Sequence, residues 1–238
     1  MQTVRQTVPD SNVPALCQRC PARHQGICGV LDGAQLAQLL KLSRRVRRPA
    51  GEELMADAMP ISTYANVRRG VVKLSKILED GRQQVVGLQF APDLLGRPFA
   101  TESRVSAAAA SDVDLCLIPK NVLETAMAQS ARLERRIMLQ ALRELDEARE
   151  WMVTLGRKTA VEKVASFLYL IATHEDANEE RADFDLPLSR ADIADFLGLT
   201  IETVSRQLSR LKADGVIGIA SHRRITVPDL ARLRLRCG

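Results

Sequence analysis

The sequence predicts an α+β chain: an antiparallel β-roll towards the N-terminus, then a long helix, then a compact winged helix-turn-helix. Three observations predict it. Short β-prone runs separated by turn residues fill 54–118. Beyond Pro119 apolar residues recur every three or four positions, and no Gly or Pro interrupts between Lys120 and Leu155. From Leu188 onward two short helical patterns flank a glycine, and a β-hairpin pattern follows.

Composition bounds the possibilities. With 238 residues the chain can bury a good core and is expected to build two domains. Hydrophobic residues make up 46%, yet no apolar run reaches the ~18 residues a membrane helix requires. The opening "MQTVRQTVPDSNVPA" lacks the charged-then-apolar order of a secretion signal, so a cytoplasmic protein is expected. Five cysteines are an odd number, and reducing conditions disfavour a disulfide framework. Three of them crowd into "CQRCPARHQGIC", which points to a metal. The net charge of +5 is uneven: residues 1–50 hold eight Lys/Arg against two Asp/Glu, 51–187 hold seventeen against twenty-two, and 188–238 hold nine against five. A basic C-terminal module behind an acidic middle fits a polyanion partner, although basic residues also simply solvate surfaces.

The elements follow in order. Residues 1–30 form the cysteine-rich arm. "LDGAQLAQLLKL" reads as a short amphipathic helix, which "RRVRRPAGEE" breaks. The roll, within 31–119, takes its strands from "TYANVRRGVVKLSKIL", "RQQVVGLQF" and "DVDLCLIP", with turns at Asp80-Gly81 and Ala91-Pro92-Asp93. Residues 120–158 form the long helix, where Ile137, Ala141, Leu145, Ala148, Met152 and Leu155 make a stripe. About thirty residues at ~1.5 Å each give a rod of roughly 45 Å, whose stripe fits pairing with a second copy, or packing within its own monomer. Asp146, Glu147 and Glu150 would flank that seam. Residues 159–238 complete the chain: a helix "TAVEKVASFLYLIATHE", an acidic loop "EDANEERADFD", then the helix-turn-helix.

In "LSRADIADFLGLTIETVSRQLSRLKADGVI", Ser189 and Asp192 form a capping box, Gly198 ends the first helix and Thr200 caps the second. Ile201, Val204, Leu208 and Leu211 form the core stripe of the second helix. Glu202, Ser205, Arg206 and Ser209 fall on the other side. A major-groove reader needs such a face: Arg donates twice to guanine, and Glu accepts from the cytosine amino group. "GVIGIASHRRITV" reads as a wing whose tip, His222, Arg223 and Arg224, meets phosphates. No paired-carboxylate, phosphate-loop or nucleophile motif appears, and no enzyme is expected.

The order of roll, long helix and winged helix-turn-helix resembles the CRP/FNR superfamily of bacterial transcription regulators, from Cys17 to about Val227. "DIADFLGLTIETVSRQLSRL" is similar to the FNR branch, whose Glu-x-x-Ser-Arg falls here on Glu202, Ser205 and Arg206. The resemblance implies a cyclic-nucleotide-binding-like roll, a homodimer, and double-stranded DNA bearing a palindrome similar to TTGAT-N4-ATCAA. It also implies contact with RNA polymerase, for which the Asp80-Gly81-Arg82 loop is the candidate. Cyclic AMP-binding members carry Gly-Glu in the roll; here "DLLGRPF" has Gly96-Arg97, so a cyclic nucleotide is not expected.

Four thiolates suit a [4Fe–4S] cluster or a zinc. FNR-type oxygen sensors have three N-terminal cysteines and a fourth in a stretch similar to "DLCLIP", so the resemblance implies Cys17, Cys20, Cys28 and Cys116 as cluster ligands. The seven-residue gap before Cys28 departs from the enterobacterial form and is similar to that of alphaproteobacterial FNR-like proteins. Two alternatives remain open: a structural zinc, with His24 completing a Cys3His set or with four cysteines, and an iron–sulfur redox enzyme. The last would need a substrate domain that this chain lacks. Cys237 is expected to be an unstructured terminal thiol.

Overall fold

The protein is described from a computed structural model covering residues 13–175, 180–221 and 223–238. Its contacts divide the chain into two compact units, Met1–Leu74 with Leu88–Glu144, and Ser75–Gly87 with Leu145–Gly238.

In the first unit a one-turn helix α1 (Ala15–Gln18) and a 3-10 turn (Ile27–Val30) precede α2 (Gly33–Leu42). Asp32 starts α2 with a capping box: its Oδ1 accepts from the Gln35 N–H at 2.8 Å, and Gln35 accepts from the Asp32 N–H at 3.0 Å. Eight strands follow: β1 (Arg44–Arg48), β2 (Glu53–Met55), β3 (Thr63–Arg69), β4 (Val71–Ile77), β5 (Gln83–Phe90), β6 (Leu94–Leu95), β7 (Ser106–Ala109) and β8 (Val113–Pro119). They make two four-stranded sheets, in the orders β1-β8-β3-β6 and β2-β7-β4-β5. The "RRVRR" stretch, expected only to break a helix, pairs antiparallel with β8. Its alternating residues turn Val46 towards apolar neighbours, a period of two that the surrounding charge hides.

Alternation sorts the first sheet into two faces. Ala65, Val67, Val113 and Leu115 join Val72, Ala107 and Ala109 of the second sheet in one core, the interior of the roll. Tyr64 and Ile118 point the other way, into a second core with Val13, Cys17, Ile27, Leu31, Leu36 and Leu39. The cysteine-bearing arm therefore packs on the outside of the roll.

Strand β8 runs into α3 (Lys120–Gln129) and then α4 (Ala131–Arg157). The sequence predicts one uninterrupted helix here; the structure has two. Ser130 leaves helical geometry (φ −140°, ψ 96°), and its Oγ accepts from the Leu133 N–H at 3.4 Å. The missed signal is a serine acting as an N-cap in a run without Gly or Pro. Along α4, Leu133, Ile137 and Gln140 turn inward, while Met138, Leu142, Leu145 and Met152 are exposed. The expected stripe thus straddles a border: Ile137 is 9% exposed and belongs to the arm's core, whereas Met152 is 72% exposed.

In the second unit α5 (Ala160–Glu175) buries Val164, Phe167, Leu168 and Ile171. Three strands, β9 (Ala182–Asp185), β10 (Gly218–Ile219) and β11 (Arg224–Val227), pair in the order β10-β11-β9. Part of the expected acidic loop is therefore strand β9, in which Ala182 and Phe184 are buried between exposed aspartates. Helices α6 (Arg190–Leu197) and α7 (Ile201–Ala213) form the helix-turn-helix, and α8 (Leu230–Leu235), which the sequence reading missed, closes the chain. The ring centroids of Trp151 and Phe196 lie 4.5 Å apart. At the β4–β5 tip Gln83 donates to Asp195 at 3.2 Å, and Gln84 donates to the Phe196 carbonyl at 3.2 Å.

Candidate metal centre and nucleic-acid interface

The four cysteines singled out in the sequence come together on the outer face of the first sheet. Cys17 lies in α1, and the Cys20 N–H donates back to its carbonyl at 3.1 Å. Cys28 lies in the 3-10 turn. Cys116 occupies the middle of β8, flanked in register by Arg45 of β1 and Asn66 of β3. The arm is held close by glycines: a Cβ on Gly26 would sit 2.9 Å from the Pro92 carbonyl, and one on Gly29 would sit 2.6 Å from that of His24. The "PARHQGI" insert is thereby fitted to the roll.

The thiols act on one another electrostatically. Burial, followed by the nearby Cys116, Cys17 and Cys20, pushes the Cys28 thiol up to about 12. Burial also raises Cys17 and Cys116, and neighbouring arginines oppose the rise. Arg45 hydrogen-bonds Cys17, Arg68 donates from Nε to the Cys20 sulfur at 3.4 Å, and Arg23 acts on both Cys17 and Cys28. A cluster of thiols that resist ionisation beside cationic groups fits a thiophilic, cation-bearing group, which would hold all four as thiolates. Among the described residues no three or more His, Cys, Asp or Glu side chains already stand in a metal ion's ligand geometry. His24 is exposed. Cys237, expected to be unstructured, is ordered in the second unit, where its sulfur contacts the Leu233 carbonyl at 3.4 Å.

The second site is α7. Ser189 accepts from the Asp192 N–H at 3.0 Å while Asp192 accepts from the Ser189 N–H at 3.3 Å. Gly198 ends α6 in the left-handed region (φ +60°), and Thr200 accepts from the Thr203 N–H at 3.2 Å. These caps fix the turn as expected. Glu202, Ser205, Arg206 and Ser209 are all exposed, while Val204, Leu208 and Leu211 are buried. One core residue differs: Ile201 is exposed and Gln207 is buried instead. Hydrogen bonds from its own N–H and from Thr200 hold the Glu202 carboxyl below the usual range, so it is ionised and accepts.

Arg224, expected at phosphates, pairs with Asp183 at 2.7 Å and Asp185 at 3.4 Å, tying β11 to β9. Its charge is matched within the sheet. Arg223 is exposed, and His222 lies outside the described residues.

A model of the Crp-like helix-turn-helix domain matches residues 162–236, and one of the cyclic nucleotide-binding domain matches 45–130. The chain belongs to the CRP/FNR family. Among its relatives, a probable transcriptional activator of Rhizobium leguminosarum bv. viciae is 53% identical over 98% of both chains. The transcriptional activator protein FnrL of Cereibacter sphaeroides is 40% identical, over 93% of this chain and 92% of its own. The solved structure of FixK2 from Bradyrhizobium japonicum superposes with a TM-score of 0.75 at 33% identity, over 82% of this chain and 98% of that one. This CRP/FNR chain is a transcription regulator with a DNA-binding helix-turn-helix, and not an enzyme. No described helix is long and apolar enough to cross a membrane.

Proposed function

We propose that this CRP/FNR protein is an oxygen-responsive transcriptional activator of the cytoplasm, carrying a [4Fe–4S] cluster on Cys17, Cys20, Cys28 and Cys116. The observation that supports the reading is that those four thiols lie within electrostatic reach of one another, among arginines, one of which donates to the Cys20 sulfur. A relative of the FnrL type supports it. When bound, such a group supplies four attachments and reactivity towards oxygen. The chain does the rest. Ligation of Cys17, Cys20 and Cys28 ties the arm to Cys116, and the arm's Ile27 and the adjoining Leu31 share a core with Leu133 and Ile137 of α4. The state of the arm thereby biases α4, whose exposed face is the proposed homodimer seam.

Two copies place two α7 helices on successive major grooves of a palindrome similar to TTGAT-N4-ATCAA, with Glu202, Ser205, Arg206 and Ser209 at base edges and Arg223 at phosphates. The Asp80–Arg82 loop is the proposed contact with RNA polymerase. A cyclic nucleotide is not the proposed signal: Arg97 follows Gly96, and the Tyr64 ring lies 2.6 Å from where a Cβ at Gly96 would be.

Protein purified without oxygen is expected to contain about four irons and four sulfides per chain, the content of one cubane on four thiolates. Cys17→Ala, Cys20→Ala, Cys28→Ala and Cys116→Ala should each lose it, and Cys237→Ala should keep it. One zinc and no iron in that preparation would overturn the reading.

A further inference from the structure

The polar residues around the cysteines do more than neutralise charge. Asn66 pairs in register with Cys116 and faces the same side of the sheet, while Arg68 sits at a β-bulge between Val67 and Arg69 that re-aims its side chain. Arg68 donates from Nε to the Cys20 sulfur at 3.4 Å. Asn66 is 2% exposed and stands in register with Cys116, and its Oδ1 is buried with no hydrogen-bond partner among the described residues. An orphaned carbonyl oxygen beside a sulfur site costs desolvation energy and gains nothing. Half a turn of the amide about its last bond puts the NH2 group in that place and shifts no heavy-atom position, converting an acceptor into a donor.

We propose that Arg68 and Asn66 are the hydrogen-bond donors that set the reduction potential of the metal group, through the sulfurs of Cys20 and Cys116. Hydrogen bonds to ligating sulfurs withdraw electron density and stabilise the more negative oxidation level, as does a fixed cation. The Arg68 guanidinium supplies both effects at Cys20. The Asn66 amide supplies the first alone at Cys116. Both are positioning residues, since neither is a ligand. The inference rests on the cluster assignment above.

The test uses full-length protein reconstituted with iron and sulfide without oxygen, in wild type, Arg68→Lys, Arg68→Gln and Asn66→Leu. Far-ultraviolet circular dichroism establishes that each is folded. The cluster's one-electron couple, 2+ to 1+, is titrated with dithionite and mediator dyes, one electron passing from reductant to cluster with no bond made or broken. Electron paramagnetic resonance reads the reduced fraction.

Arg68→Gln and Asn66→Leu are each expected to move the equilibrium with the mediator about tenfold against reduction, about 59 mV lower. Arg68→Lys, which keeps the charge, should recover part of that shift. Resonance Raman bands of the iron–cysteine stretches should move in Arg68→Gln and Asn66→Leu. Midpoints equal to wild type in Arg68→Gln and Asn66→Leu would overturn the proposal. Loss of the cluster in both Arg68 variants would also overturn it, because side-chain shape rather than donation would then be required. A wild-type protein that takes up no iron fails at the earlier step and overturns the cluster assignment itself.

Discussion

Glu202 and Arg206 stand one turn apart on the exposed side of α7, with Arg206 also donating to Thr203 Oγ1 at 3.2 Å. Arg206→Ala should cost roughly 1–3 kcal/mol on the palindrome and relax preference at one guanine of each half-site. Equal losses on specific and random DNA would exclude that role. The two wing arginines should behave differently, although they are sequence neighbours. Arg223→Ala should weaken all sequences alike and lower the salt slope by about one. Arg224→Ala should leave the slope unchanged and lower Tm modestly, since its partners are Asp183 and Asp185 in an exposed network. Thr200→Val removes one hydrogen bond from the Glu202 carboxylate and should raise its pKa, as nuclear magnetic resonance titration of that carboxyl would show. The sign follows from linkage: a carboxyl depressed in the folded state contributes stability above its unfolded pKa, and the contribution is lost as pH falls through the folded value. At this scale the sequence was most legible. Caps, turn glycine and polar face are all set within a few residues of one another, whereas the claim of Asp183 and Asp185 on Arg224 spans some forty positions and leaves no local mark.

Helix α4 shows what periodicity can and cannot determine. Ile137, Ala141, Leu145, Ala148 and Met152 follow helical spacing, yet the exposed apolar face through Met138, Leu142, Leu145 and Met152 is centred roughly a sixth of a turn away. The helix has two apolar sides, one serving the arm's core, and a repeat alone does not separate them. The heptad through the exposed residues also relocates the seam charge. Arg149, paired with Asp146 of its own chain at 3.2 Å, falls between Leu145 and Met152, whereas Glu150 lies on the flank. Arg149→Leu should therefore tighten the cluster-free dimer by roughly 1–3 kcal/mol in sedimentation equilibrium, the cost of desolvating a poorly matched polar layer. Glu150→Gln should leave it unchanged. An unaltered dimer in Arg149→Leu would place the seam elsewhere on α4.

Across the molecule, the arm reaches α4 through packing. Leu31 is 2% exposed and joins Ile27 in the core that holds Leu133 and Ile137. Leu31→Ala replaces no cysteine and no residue proposed to meet DNA, yet it should cost about 2–5 kcal/mol in the first unit. It should also weaken operator binding by oxygen-free protein that still carries its full iron. Normal operator affinity in that variant would mean that the signal bypasses this core. The cysteine spacing and the order of domains could be read from the sequence. The wall between two cores could not, because "RRVRR" conceals a strand and alternation in β3 and β8 serves apolar partners on both faces. That wall bears on how such a protein can change over generations. The inner core, from Ala65 to Leu115, includes no described residue of the arm. Mutations that erase the cysteines, or reshape the insert between Cys20 and Cys28, leave it intact. Lineages can therefore lose or replace what is sensed while inheriting the same roll and the same DNA reader.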